Sequence, residues 1–109
     1  MIKELTTQDY IKLENELGAQ TYSPLDLVIE RAEGVWLWDV EGRKYLDCTS
    51  AYSSVNLGHC HPELLKVFVE QAGKVTQVSR ALRNTKMPVL FEKLTKLTGI
   101  NNVLPMNTG

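Results

Sequence analysis

The chain has 109 residues, 43% of them apolar, with 12 basic and 13 acidic side chains and a net charge of -1. A chain of this size can bury about two thirds of its unfolded surface as one small domain, and the composition excludes wholesale disorder. No block of Lys or Arg is present to attract nucleic acid or a membrane surface, and no apolar run approaches the ~18 residues of a membrane span. The opening MIKELTTQDY lacks the apolar centre of a signal peptide, so a cytoplasmic protein is the default expectation.

In chain order, Thr6 or Thr7 can cap a first helix, with Asp9 favourable in its first turn. Tyr10, Leu13 and Leu17 then share one narrow apolar face, and Gly18 is a natural left-handed stop. So thin a stripe gains little stability alone and predicts docking on another surface, such as a partner subunit. The stretch AQTYSP is an extended connector, because Pro24 keeps the residue before it out of the helical region. Tyr22 inside it reads either as a half-exposed loop residue or as a hydroxyl facing a ligand.

A β-meander follows: Leu25 to Arg31, Val35 to Val40 around Trp36 and Trp38, and Lys44 to Cys48 after a turn at Glu41-Gly42. The indoles are read as core or interface residues of this sheet. Three strands alone make a poor domain and need something to pack on.

The stretch AYSSVNLGHCHP, Ala51 to Pro62, concentrates the polar chemistry. Proline suits the first helical position, and Leu64, Leu65, Phe68 and Ala72 form an apolar face ending at Gly73. A polar connector with Ser79, Arg80 and Arg83 leads to a further helix at Pro88, with Leu90, Phe91, Leu94 and Leu97 inward and Gly99 as its stop. Val103 to Met106 reads as a short strand running into Asn107-Thr108-Gly109, where free amides of a strand-to-helix turn can bind phosphate. An end at such a turn suggests the front part of a longer protein.

Metal binding by His59-Cys60-His61 is not expected. Consecutive side chains of an extended segment alternate in direction, so only the two histidines can share a face, and two ligands do not make a tight site. His59 is read as hydrogen-bonding inside the turn and His61 as flanking the helix. Cys60 lacks a third residue to complete a nucleophile pair, and both Cys48 and Cys60 are taken as free thiols. Tyr52, a phenol beside small serines just after a strand, can reach into a cleft.

The run GVWLWDVEGRKYLDCTSAYSSVNLGHCHPELL, followed by VLPMNTG, resembles the N-terminal part of class III pyridoxal-phosphate-dependent aminotransferases. The similarity runs from Tyr22 to Gly109 and rests on a D-x-E-G-[RK]-x-Y-x-D hairpin and an N-x-G-H-x-H-P loop. The pairing of Y-S-[AS]-V-N-x-G-H-C-H-P with L-P-M-N-T-G favours the ornithine-using branch of that class. The resemblance implies an α/β architecture, the N-terminal portion of a fold-type I transferase: a helix, a three-stranded β-meander, then the start of the large α/β domain. Residues 1–48 would be a helix and meander segment packing with the small domain, and residues 49–109 the truncated beginning of the large cofactor-binding domain.

It further implies a homodimer with active sites between subunits, pyridoxal phosphate as cofactor, and ornithine and 2-oxoglutarate as substrates, giving glutamate 5-semialdehyde and glutamate. By the same resemblance Tyr22 and Tyr52 line the substrate pocket, Tyr52 helping to select ornithine, and Gly109 with Thr108 beside it belongs to the turn that holds the cofactor phosphate. No catalytic residue is expected here: no lysine sits in a matching motif, so the Schiff-base lysine would lie elsewhere and these residues alone should be inactive. Acetylornithine or 4-aminobutyrate aminotransferase of the same class is the nearest alternative, and a non-catalytic binding module is the alternative outside it.

Overall fold

A computed structural model describes residues 5–107. The element order is α1 (Thr7–Leu17), β1 (Ile29–Glu33), β2 (Trp36–Asp39), β3 (Lys44–Leu46), α2 (Ser50–Ser53), α3 (Pro62–Ala72) and α4 (Met87–Thr98). The chain divides into two compact units, Met1–Phe68 and Val69–Gly109.

In the first unit, Thr6 caps α1 through a reciprocal box: its hydroxyl accepts from the Asp9 amide at 3.3 Å, and its own amide donates to Asp9 Oδ2 at 3.0 Å. Gly18 ends the helix in extended backbone (φ -85°, ψ 147°), not the left-handed conformation expected of it. Its value is closeness, because a Cβ there would lie 2.7 Å from the Glu14 carbonyl oxygen.

The meander forms as one antiparallel sheet in the order β1-β2-β3. Its first strand begins at Ile29, later than the Leu25 expected, with a register shift between Ile29 and Arg31. A two-residue connection joins Glu33 to its partner Trp36, and Gly34 supplies the positive φ of 57° such a hairpin needs. On one face Arg31 lies 3.6 Å from the Trp38 ring centre and Lys44 lies 4.0 Å from that of Trp36, so both indoles carry a cation.

The turn between β2 and β3 is closed by a polar knot around Asp39, which is 1% exposed. Its Oδ1 accepts from the amides of Glu41 (3.1 Å) and Arg43 (2.8 Å), and its Oδ2 from Arg43 Nε (2.6 Å) and the Tyr45 hydroxyl (2.8 Å). Desolvation would raise the Asp39 pKa, but the bonds from Tyr45 and Arg43 outweigh it and hold the carboxyl below its ordinary value. Glu41 then reaches α1, accepting from the Thr7 amide at 3.0 Å and the Thr7 hydroxyl at 2.7 Å. This fastens the helix start to the hairpin at the point where free amides and the helix dipole favour a carboxylate.

In the second unit α4 starts with proline in its first turn and ends at Gly99, left-handed with φ 72°, as expected. The residues Val103 to Met106 form no strand, because among the described residues they have no neighbouring backbone to ladder with. The helical faces expected to point inward also stay open. No apolar side chain among the described residues is buried, and Leu13, Leu64, Phe68 and Leu90 are all exposed. Ion pairs one helical turn apart, Glu70 with Lys74 and Glu92 with Lys96, are solvated and contribute only ~0.3–0.5 kcal/mol each.

Candidate functional site

The polar stretch after β3 begins with an unusual backbone. Ser50, Ala51, Tyr52 and Ser53 all have positive φ, from 44° to 70°, so α2 is a left-handed turn built without glycine. Each such residue costs on the order of 1–2 kcal/mol, and a run of them persists only where the surroundings over-determine it. Bonds from the Tyr52 amide to Thr49 O (2.9 Å), the Val55 amide to Ser50 O (3.1 Å) and the Ser54 hydroxyl to Ala51 O (2.7 Å) close it internally.

Its beginning is held by Asp47. The Oδ1 atom accepts from the amides of Thr49 (3.0 Å) and Ser50 (2.9 Å), and Oδ2 accepts from His59 Nε2 at 2.7 Å. His59 is the stronger influence in holding the Asp47 carboxyl below its ordinary value, followed by the Ser50 amide. His59 in turn is bonded to Gly34 in both directions, by amide to carbonyl at 2.8 Å and carbonyl to amide at 2.9 Å. The approach is close enough that a Cβ on Gly58 would sit 3.1 Å from the Gly34 Cα, and Gly58 has φ 83°.

From this turn Tyr52 projects to Tyr22. Their hydroxyls meet at 2.6 Å although the residues are 30 apart in sequence. The hydrogen bond to Tyr22, with a smaller contribution from desolvation, raises the Tyr52 pKa above 10.0. Tyr22 is 71% and Tyr52 81% exposed, so both remain open to a ligand. Tyr22 also lines a groove of about 580 Å³ with Ile11, Glu14 and Asn15 of α1. A phenol hydroxyl can both donate and accept, so the pair keeps hydrogen-bonding capacity beyond its mutual contact.

The other residues singled out in the sequence fall elsewhere. Thr108 and Gly109 lie outside the described residues. Cys48 and Cys60 are free and exposed. His61 passes its carbonyl to the Leu65 amide at 3.0 Å, starting α3, while its buried Nδ1 has no hydrogen-bond partner among the described residues. No group of three or more His, Cys, Asp or Glu among the described residues could hold a metal ion. Asp47 closes the hairpin motif but was given no role from sequence, although Asp-Cys-Thr-Ser carries the signature of an aspartate that accepts from amides two and three residues on. In the second unit a separate concavity of about 420 Å³ is lined by Arg80, Arg83, Met87 and Phe91.

Residues 17–109 match the model of the family described as aminotransferase class-III, and the chain belongs to that family. Among its relatives is the ornithine aminotransferase of Bordetella pertussis, 56% identical over 98 residues, which are 90% of this chain and 24% of that protein. In structure it is similar to an acetylornithine aminotransferase from Elizabethkingia anophelis (TM-score 0.90, 49% identity, 94% of this chain and 27% of that one). It is also similar to the ornithine aminotransferase of Toxoplasma gondii (TM-score 0.94, 31% identity, 99% of this chain and 25% of that one), in which pyridoxal phosphate partly occupies the active site. The fold is thus that of the corresponding segment of the fold-type I aminotransferases. The chain spans about a quarter of the length of the curated relatives it matches.

Proposed function

We propose that this chain is the N-terminal portion of a pyridoxal-phosphate-dependent aminotransferase that takes ornithine as amine donor and 2-oxoglutarate as acceptor, forming glutamate 5-semialdehyde and glutamate. The observation that supports this reading is the meeting of the Tyr22 and Tyr52 hydroxyls at 2.6 Å, which joins two residues from distant parts of the sequence into one exposed pair. The ornithine aminotransferase relatives support the choice of donor. In this reading the two phenols orient the donor by hydrogen bonds to its charged groups, and the left-handed turn sets the angle at which Tyr52 meets it. Residues 1–48 pack with the small domain, residues 49–109 open the large domain, and the enzyme is a cytoplasmic homodimer. No described helix is long and apolar enough to cross a membrane.

The tyrosine pair does not fit the cofactor itself: two neutral phenols offer no cation to a phosphate dianion, and only Asn107 of the expected phosphate turn is among the described residues. When bound, pyridoxal phosphate supplies the electron sink that transamination needs. In this reading the chain contributes one wall of the donor pocket, and the catalytic lysine lies elsewhere in the full enzyme.

The test is an assay of the full-length protein with ornithine, acetylornithine and 4-aminobutyrate. The expected outcome is the highest kcat/KM with ornithine; preference for either of the others overturns the donor assignment. A protein with no visible cofactor absorbance that responds to an amine donor would be a non-catalytic module instead.

A further inference from the structure

The two motifs that mark the family meet at one hydrogen bond. Asp47 ends the hairpin motif, His59 belongs to the loop motif, and Asp47 Oδ2 lies 2.7 Å from His59 Nε2. Among the described residues, the hydroxyl of each tyrosine bonds to the other tyrosine and not to this pair. Yet Asp47 is the residue that grips the beginning of the left-handed turn, and His59 is the residue that orients Asp47.

We propose that the Asp47–His59 pair positions Tyr52, and through it sets the choice of amine donor; the inference rests on reading Tyr52 as facing the substrate. The hydrogen bonds inside the turn do not select its hand, since short turns of either hand close with similar bonds. Selection falls to the ends. Asp47 Oδ1 fixes the amides of Thr49 and Ser50 together, at 3.0 and 2.9 Å, where the run of four positive φ values begins. The aspartate is fixed on three sides: its amide donates to Val35 O at 2.9 Å, its Oδ1 holds the turn, and its Oδ2 holds His59. Because His59 is bonded in both directions to Gly34, the tie ends on the hairpin between β1 and β2. Tyr52 is therefore anchored to the sheet by a chain of hydrogen bonds, and its hydroxyl reaches Tyr22 from a backbone that would otherwise relax.

The test is made on the full-length enzyme with His59→Ala, Tyr52→Ala and the double variant. His59→Ala should raise KM for ornithine about tenfold, more than it lowers kcat, as expected when a charge-assisted hydrogen bond no longer sets ligand geometry. It should shift the preference between ornithine and 4-aminobutyrate in the same direction as Tyr52→Ala, and add nothing to that shift in the double variant. His59→Gln, whose amide can donate to Asp47, should restore most of the ornithine preference. Should His59→Ala not fold, Asp47→Asn is used instead, because it keeps an acceptor for the two amides and alters the atom facing His59; the same expectations hold. The proposal is overturned if either variant leaves the preference unchanged while Tyr52→Ala alters it, or if the effects of His59→Ala and Tyr52→Ala simply add. If Tyr52→Ala itself leaves the preference unchanged, the substrate role of Tyr52 fails, and the positioning role with it.

Discussion

Tyr22 and Tyr52 show what a single contact adds to a motif. Each was identifiable from its place in a family pattern, but nothing in their spacing foretold a hydroxyl-to-hydroxyl distance of 2.6 Å. That contact has a direct consequence. Tyr22→Phe removes the main cause of the raised Tyr52 pKa, so the Tyr52 phenol should titrate closer to 10.0, as read by ultraviolet absorbance at alkaline pH. In the full enzyme, Tyr52→Phe should raise KM for ornithine by roughly 10- to 100-fold if the phenol binds a charged donor group, equivalent to about 1.5–3 kcal/mol. Steady-state kinetics with ornithine checks this. Asp47 was missed for a different reason: an aspartate after a strand is ordinary, and its partner His59 is 12 residues away, so only the folded backbone shows them paired.

At the level of elements, residues 39–45 of the hairpin motif hold their own turn together. Asp39, Glu41, Arg43 and Tyr45 form one hydrogen-bonded knot, while Gly42 takes the positive φ of 78° that its turn requires. Two glycines give a controlled comparison of backbone demands. Gly99 has φ 72° with open space around it, so Gly99→Ala should cost only the left-handed penalty of about 1 kcal/mol. Gly58→Ala must meet the same penalty and also displace Gly34 backbone 3.1 Å away, so it should lower the denaturant midpoint of the full protein by more. Equal midpoints for the two variants would show that the Gly34 to His59 bridge yields easily. The helices themselves were readable from caps and periodicity, whereas α2 was not. Four non-glycine residues in left-handed backbone run against local preference, so no helix or turn signal announced them.

For the molecule as a whole, three carboxylates share one direction of titration. Asp39, Glu41 and Asp47 all have pKa values below their ordinary values of 3.8, 4.5 and 3.8. A depressed folded-state pKa adds stability that is present in full above the ordinary value and is lost as pH falls through the folded one. The first unit should therefore lose stability as pH drops below about 4.5, with the fastening of α1 by Glu41 and the turn held by Asp47 loosening together. Hydrogen exchange followed down the pH scale checks this, and protection in α1 that stays constant to pH 3 would refute it. The exposed apolar faces lead to another expectation: the 109 residues expressed alone should bind a hydrophobic dye strongly and unfold without a sharp transition. From the sequence by itself came three of the helices, the meander, the Thr6 cap and the family, because periodicity, turn residues and motif spacing are local properties of the chain; the strand expected at Val103 to Met106 and the left-handed stop expected at Gly18 did not form. The left-handed turn, the Asp47–His59 tie and the joining of Tyr22 to Tyr52 were decided only in tertiary structure. The two ties depend on groups 12 and 30 residues apart meeting within hydrogen-bond reach, and the turn on a backbone that local preference disfavours.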